Sequence, residues 1–291
     1  MHPAPSVIIF TSLSGLGFGL LFWLGIGYPE VYGMSAFGMF FVAYALAVGG
    51  LLASTAHLGN PKNAIHAFSQ WRTSWLSREG IASVVTLLLM AVYAIGMVFL
   101  GQRFQILGWI GAALSMFTVF TTSMIYAQLK TVPRWNMRLT SVMFLTYAVA
   151  GGALLAGQIS IAVVLLLVLT LVQFAVWQAG DKRFREAGHT IETATGLGNL
   201  GKVRLLEPPH TSPNYLMKEM VFTVGRKHSR KLRMIAGVSL GLLPVILLYA
   251  LPFNPISAAL AVAFHVLGLF AARWLFFAEA EHVVGLYYDK R

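Results

Sequence analysis

MSAFGMFFVAYALAVGGLLASTAHLGNPKNAIHAFSQWRTSWLSREGIASVVTLLLMAVYAIGMVFL, residues 34–100, decides the fold. Two runs without a single Asp, Glu, Lys or Arg, 34–57 and 81–100, flank a polar segment that carries Lys62, Arg72, Arg78 and Glu79. A helix needs about 20 apolar residues to cross roughly 30 Å of hydrocarbon, so each run is long enough to span a membrane. The same window finds eight such spans along the chain, at 6–27, 34–57, 81–100, 105–128, 139–157, 159–179, 234–252 and 256–286. They are too long and too uniformly apolar for the alternating strands of a barrel. The whole composition agrees: 57% of the 291 residues are hydrophobic and 11% charged, against about 25% charged in an ordinary globular domain. The expectation is an all-α membrane protein, a bundle of eight transmembrane helices forming one integral membrane domain over 1–291. The opening MHPAPSV has no basic residue, so the first span is expected to be retained rather than removed as a secretory leader.

Lys and Arg report orientation, because loops rich in them stay on the cytoplasmic side. Of the 21 in this chain, 19 fall on the side that holds both termini and the loops 58–80, 129–138 and 180–233, Arg103 alone lies on the other, and Arg273 is inside a span. Both termini are therefore expected in the cytoplasm. The pI near 10.1 then follows from this asymmetry, with attraction to anionic membrane lipid or an acidic partner and no need of nucleic acid.

Cysteine is absent, which excludes disulfides and any iron–sulfur cluster held by this chain itself. Residues 180–233 are expected to form one extended cytoplasmic loop. Within it, Gly196-Leu-Gly198-Asn-Leu-Gly201 matches GxGxxG, yet no strand precedes it and no βαβ unit fits, so turns are the better reading. Further on, Leu216, Met220, Val221 and Val224 recur at helical spacing among basic residues, the pattern of an amphipathic helix at the interface or on a partner.

Ionisable groups at membrane depth are costly and are functional candidates by default. His57 closes the second span, Glu79 opens the third, Tyr126 nears the end of the fourth, and Arg273, Glu279, Glu281 and His282 lie along the last. At about 1.5 Å per residue, Arg273 is roughly 25 Å into its span and in the cytoplasmic half. His57, Glu79, Tyr126 and Arg273 thus reach one level from four helices, as a pocket requires. Plainer readings stand beside this one. His57 caps a helix end, Arg273 snorkels to phosphates, and Trp71, Trp75 and Trp135 form an interfacial belt. His265 is a satisfied core histidine in preference to a haem b ligand, since no second axial histidine stands out at its depth. Gly15, Gly17, Gly19, Gly49, Gly50 and Ala53 are read as close helix packing. A secondary transporter is disfavoured because no repeated halves are visible.

These residues also carry a resemblance. His57-Leu-Gly59-x-Pro61, Ser74-Trp75-Leu76-Ser77-Arg78-Glu79, Tyr126 with Thr131-Val132-Pro133-Arg134-Trp135, and Arg273-Trp-Leu-Phe-Phe resemble the membrane anchor subunits of the dimethyl sulfoxide reductase family. The resemblance implies a bacterial inner-membrane subunit that passes electrons between the quinone pool, ubiquinone or menaquinone, and a four-cluster iron–sulfur subunit wired to a molybdopterin catalytic subunit. It implies a quinone site with His57 and Glu79 as its proton-handling pair and with Trp75, Ser77, Arg78, Tyr126 and Arg273 around them. Docking of the partner is expected at Lys62, Arg72, Arg134, Arg226 and Lys227. The opening MHPAPSVIIFTSLSGLGFGLLF and the block PNYLMKEMVFTVGRKHSRKLR are more similar to anchors of cytoplasmic sulfite-oxidising enzymes, which implies electrons running from sulfite to quinone. The alternatives are an anchor that oxidises menaquinol for an S- or N-oxide reductase and a haem b-containing quinone oxidoreductase subunit.

Overall fold

A computed structural model describes residues 1–55, 65, 66, 68–207, 212, 214–221, 228–251 and 254–288. Among them the regular structure is helical throughout, with eight helices long and apolar enough to cross a membrane. They are α1 (Pro5–Ile26), α2 (Gly33–Thr55), α3 (Trp75–Phe99), α4 (Gln105–Ala127), α5 (Arg138–Leu155), α6 (Ile159–Glu186), α7 (Ser229–Ala250) and α8 (Pro255–Ala278).

The expected spans coincide with these helices, and the boundaries differ where polar residues prolong or stop a helix. α3 begins at Trp75, so Ser77, Arg78 and Glu79 are helical. α6 continues through the charged run to Glu186, because long charged side chains stay solvated past the apolar boundary and the chain meets no breaker before Gly188, at φ 66°. α8 stops at Ala278, short of the expected 286. Beyond it the chain turns back so that the Val283 N–H bonds the Thr131 carbonyl at 3.0 Å, which leaves Glu281 and His282 outside the helix. The extended loop accordingly narrows to 187–228. It carries short helices at Ile191–Thr195 and Tyr215–Glu219, while 222–227, the middle of the expected amphipathic stretch, lies outside the described residues. The GxGxxG stretch forms a left-handed helix cap at Gly196 and a single 3-10 turn, Gly198–Leu200.

α1 is the hub, packing against α2, α4 and α5, with α8 also in contact. Without a hydrophobic driving force between helices in lipid, close approach depends on small residues. Gly17 lies on the backbone of Ala43 and Ala47 in α2, Gly19 on Ala148 and Gly152 in α5, and Gly25 on Gly108 in α4. Any Cβ at these positions would meet main chain. Gly50 likewise abuts Ser14, whereas Gly15 and Gly49 face open space, so only part of the expected glycine packing is realised.

α7 is interrupted by a π-helical turn at Val238–Leu242, just before Pro244. Proline has no N–H, so the carbonyl four residues earlier, Leu240, loses its helical donor. The His265 Nδ1 lies 2.7 Å from that carbonyl and donates to it. His265 is thus a core histidine by construction. Its other nitrogen is buried without a partner against α5, where a Cβ at Gly151 would be only 3.0 Å away.

Candidate functional site

The start of α3 carries Glu79 into the protein on its second turn. Its carboxylate is 4% exposed and accepts a hydrogen bond of 3.0 Å from the Thr122 hydroxyl of α4. Tyr126, one turn along α4, lies within electrostatic reach of both Glu79 and Arg273. The α3–α4 contact continues inward through hydroxyls, with Thr86 and Thr118 at 3.0 Å from each other, polar glue of the kind membrane helices use.

Arg273 arrives from the last full turns of α8. It is 2% exposed, and its guanidinium carbon sits 3.7 Å from the Phe144 ring centre and 4.7 Å from that of Tyr147, both on α5. Such cation–π contacts contribute about 0.5–2 kcal/mol each, depending on desolvation. Nε and Nη1 are buried without a hydrogen-bond acceptor, and no carboxylate pairs with this guanidinium among the described residues. Arg273 therefore does not snorkel to lipid phosphates, because the packed rings hold it inside.

Two further acids at this end of the bundle, Asp181 and Glu279, are already engaged. Arg233 of α7 grips Asp181 of α6 with two bonds of 2.6 and 2.7 Å, and Glu279, the residue capping α8, with bonds of 2.7 and 2.9 Å. Arg134, from the α4–α5 loop, joins the same two carboxylates, reaching Glu279 at 3.2 Å. This cluster ties one end of α6, α7 and α8 to the loop.

Tyr126 is boxed by Trp135, Phe144, Phe276 and Phe277 at ring separations of 5.3–5.7 Å. Trp135 is no belt residue. The loop folds back under the bundle, Trp135 is buried and stacked on Phe276, and its Nε1 donates to the Phe276 carbonyl at 2.8 Å.

The expected site residues fall into three groups. Glu79, Tyr126 and Arg273 are brought together and buried. Ser77 is buried on the first turn of α3, while Trp75 and Arg78 form a rim: the Arg78 guanidinium lies 4.3 Å over the Trp75 ring and its Nε and Nη2 hold the carbonyls of Trp71 and Arg72. His57 lies outside the described residues, two positions beyond the end of α2, as do Lys62, Arg226 and Lys227 among the expected docking residues. Of the other two, Arg72 is exposed beside Trp71, and Arg134 is taken up by the ion cluster. Thr122, Tyr147 and its hydrogen-bonded neighbour Gln173 are additions that the sequence reading does not contain. The serine and threonine density of α4, unusual for a span, is the signal that could have found Thr122.

The chain matches the family model for the DMSO reductase anchor subunit (DmsC) over residues 1–179, the first six spans. It is 32% identical to a sulfite dehydrogenase subunit of Allochromatium vinosum, over 99% of both chains. It is 30% identical to the anaerobic dimethyl sulfoxide reductase chain YnfH of Escherichia coli, over 53% of this chain and 56% of that one. No solved structure matches.

Proposed function

Because this chain belongs to the family of DMSO reductase anchor subunits (DmsC), we propose that it is the quinone-reactive membrane anchor of a molybdoenzyme complex in a bacterial inner membrane. Sulfite is the electron donor in this reading, by way of a molybdopterin catalytic subunit and a four-cluster iron–sulfur subunit. The quinone pool, ubiquinone or menaquinone, is the acceptor.

The observation that carries it is the guanidinium of Arg273, two of its donors without an acceptor among the described residues, and the buried carboxyl of Glu79, both within electrostatic reach of Tyr126. Buried donors almost always have acceptors, so two without one mark a place built for a polar ligand. A quinone bound there supplies the redox chemistry, taking two electrons and two protons per turnover. His57, whose side chain is of the type that exchanges protons near neutral pH, delivers a proton and is refilled from the loop side. Glu79 holds a second proton at Oε2 while Thr122 fixes Oε1. Arg273 sets a fixed positive charge where negative charge develops, and Tyr126 bounds the head group. Trp75, Ser77 and Arg78 frame the entrance. The basic side chains of Lys62, Arg72, Arg134, Arg226 and Lys227 receive the iron–sulfur subunit on its docking face, Arg134 from within the ion cluster. The excess of 19 basic residues to one turns this face to the cytoplasm. Electrons and protons then enter from the same side, and the step moves no net charge across the membrane.

Sulfite-dependent quinone reduction by the assembled complex tests this. Glu79→Gln and His57→Ala should each lower turnover by about a hundredfold or more, the usual scale for a proton-transfer group, with assembly intact. Wild-type turnover in both variants would falsify the site. The similarity to YnfH supports a second reading, in which the same site oxidises menaquinol for dimethyl sulfoxide reduction. The two are separated by which half-reaction the complex supports.

A further inference from the structure

A second place at this end of the bundle is built for a ligand. Between the ends of α4, α5 and α6 lies a cleft of about 460 Å³, bounded by Phe120 and Met124 of α4, Met137, Arg138 and Ser141 around the start of α5, and Arg183 of α6. α5 packs on both α4 and α6 and, with 18 residues, is the shortest of the eight spans.

The chemistry of the cleft is two-sided. Its floor carries the apolar side chains of Phe120, Met124 and Met137, and Phe117 and Val142, within one helical turn of the lining residues Phe120 and Ser141 on α4 and α5, are exposed where the spans face hydrocarbon in a membrane. Its rim is cationic. Arg138 is exposed and has no ion-pair or hydrogen-bond partner among the described residues. Arg183 holds the Asn136 carbonyl at 3.3 Å and meets only Glu186, at 3.7 Å on the solvent side. An exposed pair of that kind is worth well under about 1 kcal/mol and does not cancel the charge. The N-terminus of α5, with no side-chain cap on its N–H groups, adds partial positive charge at the same spot.

We propose that this cleft binds an anionic phospholipid, the phosphate held between Arg138 and Arg183 and an acyl chain laid along α4 and the outer face of α5. A neutral quinone carries no standing anionic group for two guanidinia to hold. An acidic protein segment has no use for an apolar floor beside the lipid-facing surface. Only an amphiphile with a negative head matches both halves.

The full-length chain in detergent, titrated with phosphatidylglycerol or phosphatidylethanolamine and weighed intact by native mass spectrometry, tests the assignment. The wild type should retain phosphatidylglycerol over phosphatidylethanolamine by about tenfold or more, on the scale of about fivefold per basic residue at a membrane surface. The double variant R138Q/R183Q should lose most of that preference. The charge-matched K182Q/R185Q, whose parent residues are exposed on α6 outside the cleft, should keep it. R138Q alone, at a residue with no contact to lose, should fall about fivefold even if the double variant does not fold. No preference in the wild type, or equal losses in the two double variants, would overturn a specific site. Displacement of the lipid by millimolar inorganic phosphate would overturn the lipid in favour of a free anion.

Discussion

Arg273 is the residue on which structure and chemistry meet. A cation buried among rings with two idle donors destabilises the free protein, because desolvation is only partly offset by the π-faces of Phe144 and Tyr147. Such a cost is retained where a ligand offsets it. Arg273→Met, close in length and apolar, is expected to leave the thermal midpoint of the detergent-purified chain unchanged or higher while quinone turnover by the assembled complex falls by about a hundredfold or more, the penalty of removing one electrostatic stabiliser. A drop in both would make Arg273 a packing residue. Its depth is legible in the sequence, since counting rise along an apolar span needs no tertiary contact. That the guanidinium stays inside is not, because it depends on which rings α5 presents. Glu79 is equally visible as the one acid at the start of the third span. Its partner Thr122 is hidden, for a threonine in a span has many uses and only the α3–α4 register selects this one.

At the level of elements, the spans are legible because hydrocarbon imposes length and polarity on every one of them. Their ends are not. The run Asp181 to Glu186 reads as loop by polarity, yet it continues α6 and brings Asp181 to Arg134 and Arg233. The partners within this cluster are 46 to 145 positions apart in the chain, beyond any local pattern. The cluster predicts a graded response. Glu279 is nearly buried, so Glu279→Ala leaves two arginines facing one acid and should cost on the order of 2–4 kcal/mol, the lower part of the range for a broken buried pair. Asp181 is more exposed, and Asp181→Ala should cost clearly less. Thermal unfolding of the two variants in the same detergent checks the order. Asp181→Ala as the more damaging change would mean that the cluster is centred on α6 instead of α8. The same logic of hidden partners applies to α7, where Pro244 announces a break but not that His265 supplies the missing donor to Leu240.

At the scale of the whole molecule, the bundle gathers its buried charged side chains at one end, the end with the basic loops, and leaves Arg103 as the one basic residue at the other, where it bonds the Ile26 carbonyl at the end of α1. The cationic cleft, the ion cluster and the Glu79–Arg273 region share that end, as the proposed quinone-reactive anchor requires. Photolabelling of the assembled complex with an azidoquinone, followed by mapping of the modified peptides, tests this arrangement most directly. Label is expected on the start of α3 around Trp75–Glu79, on α4 around Thr122–Tyr126 and on α8 around Arg273, and it should be lost in Glu79→Gln. Label concentrated on the opposite end, near Tyr93 and Arg103, or labelling unchanged by Glu79→Gln, would contradict a quinone site among these helices.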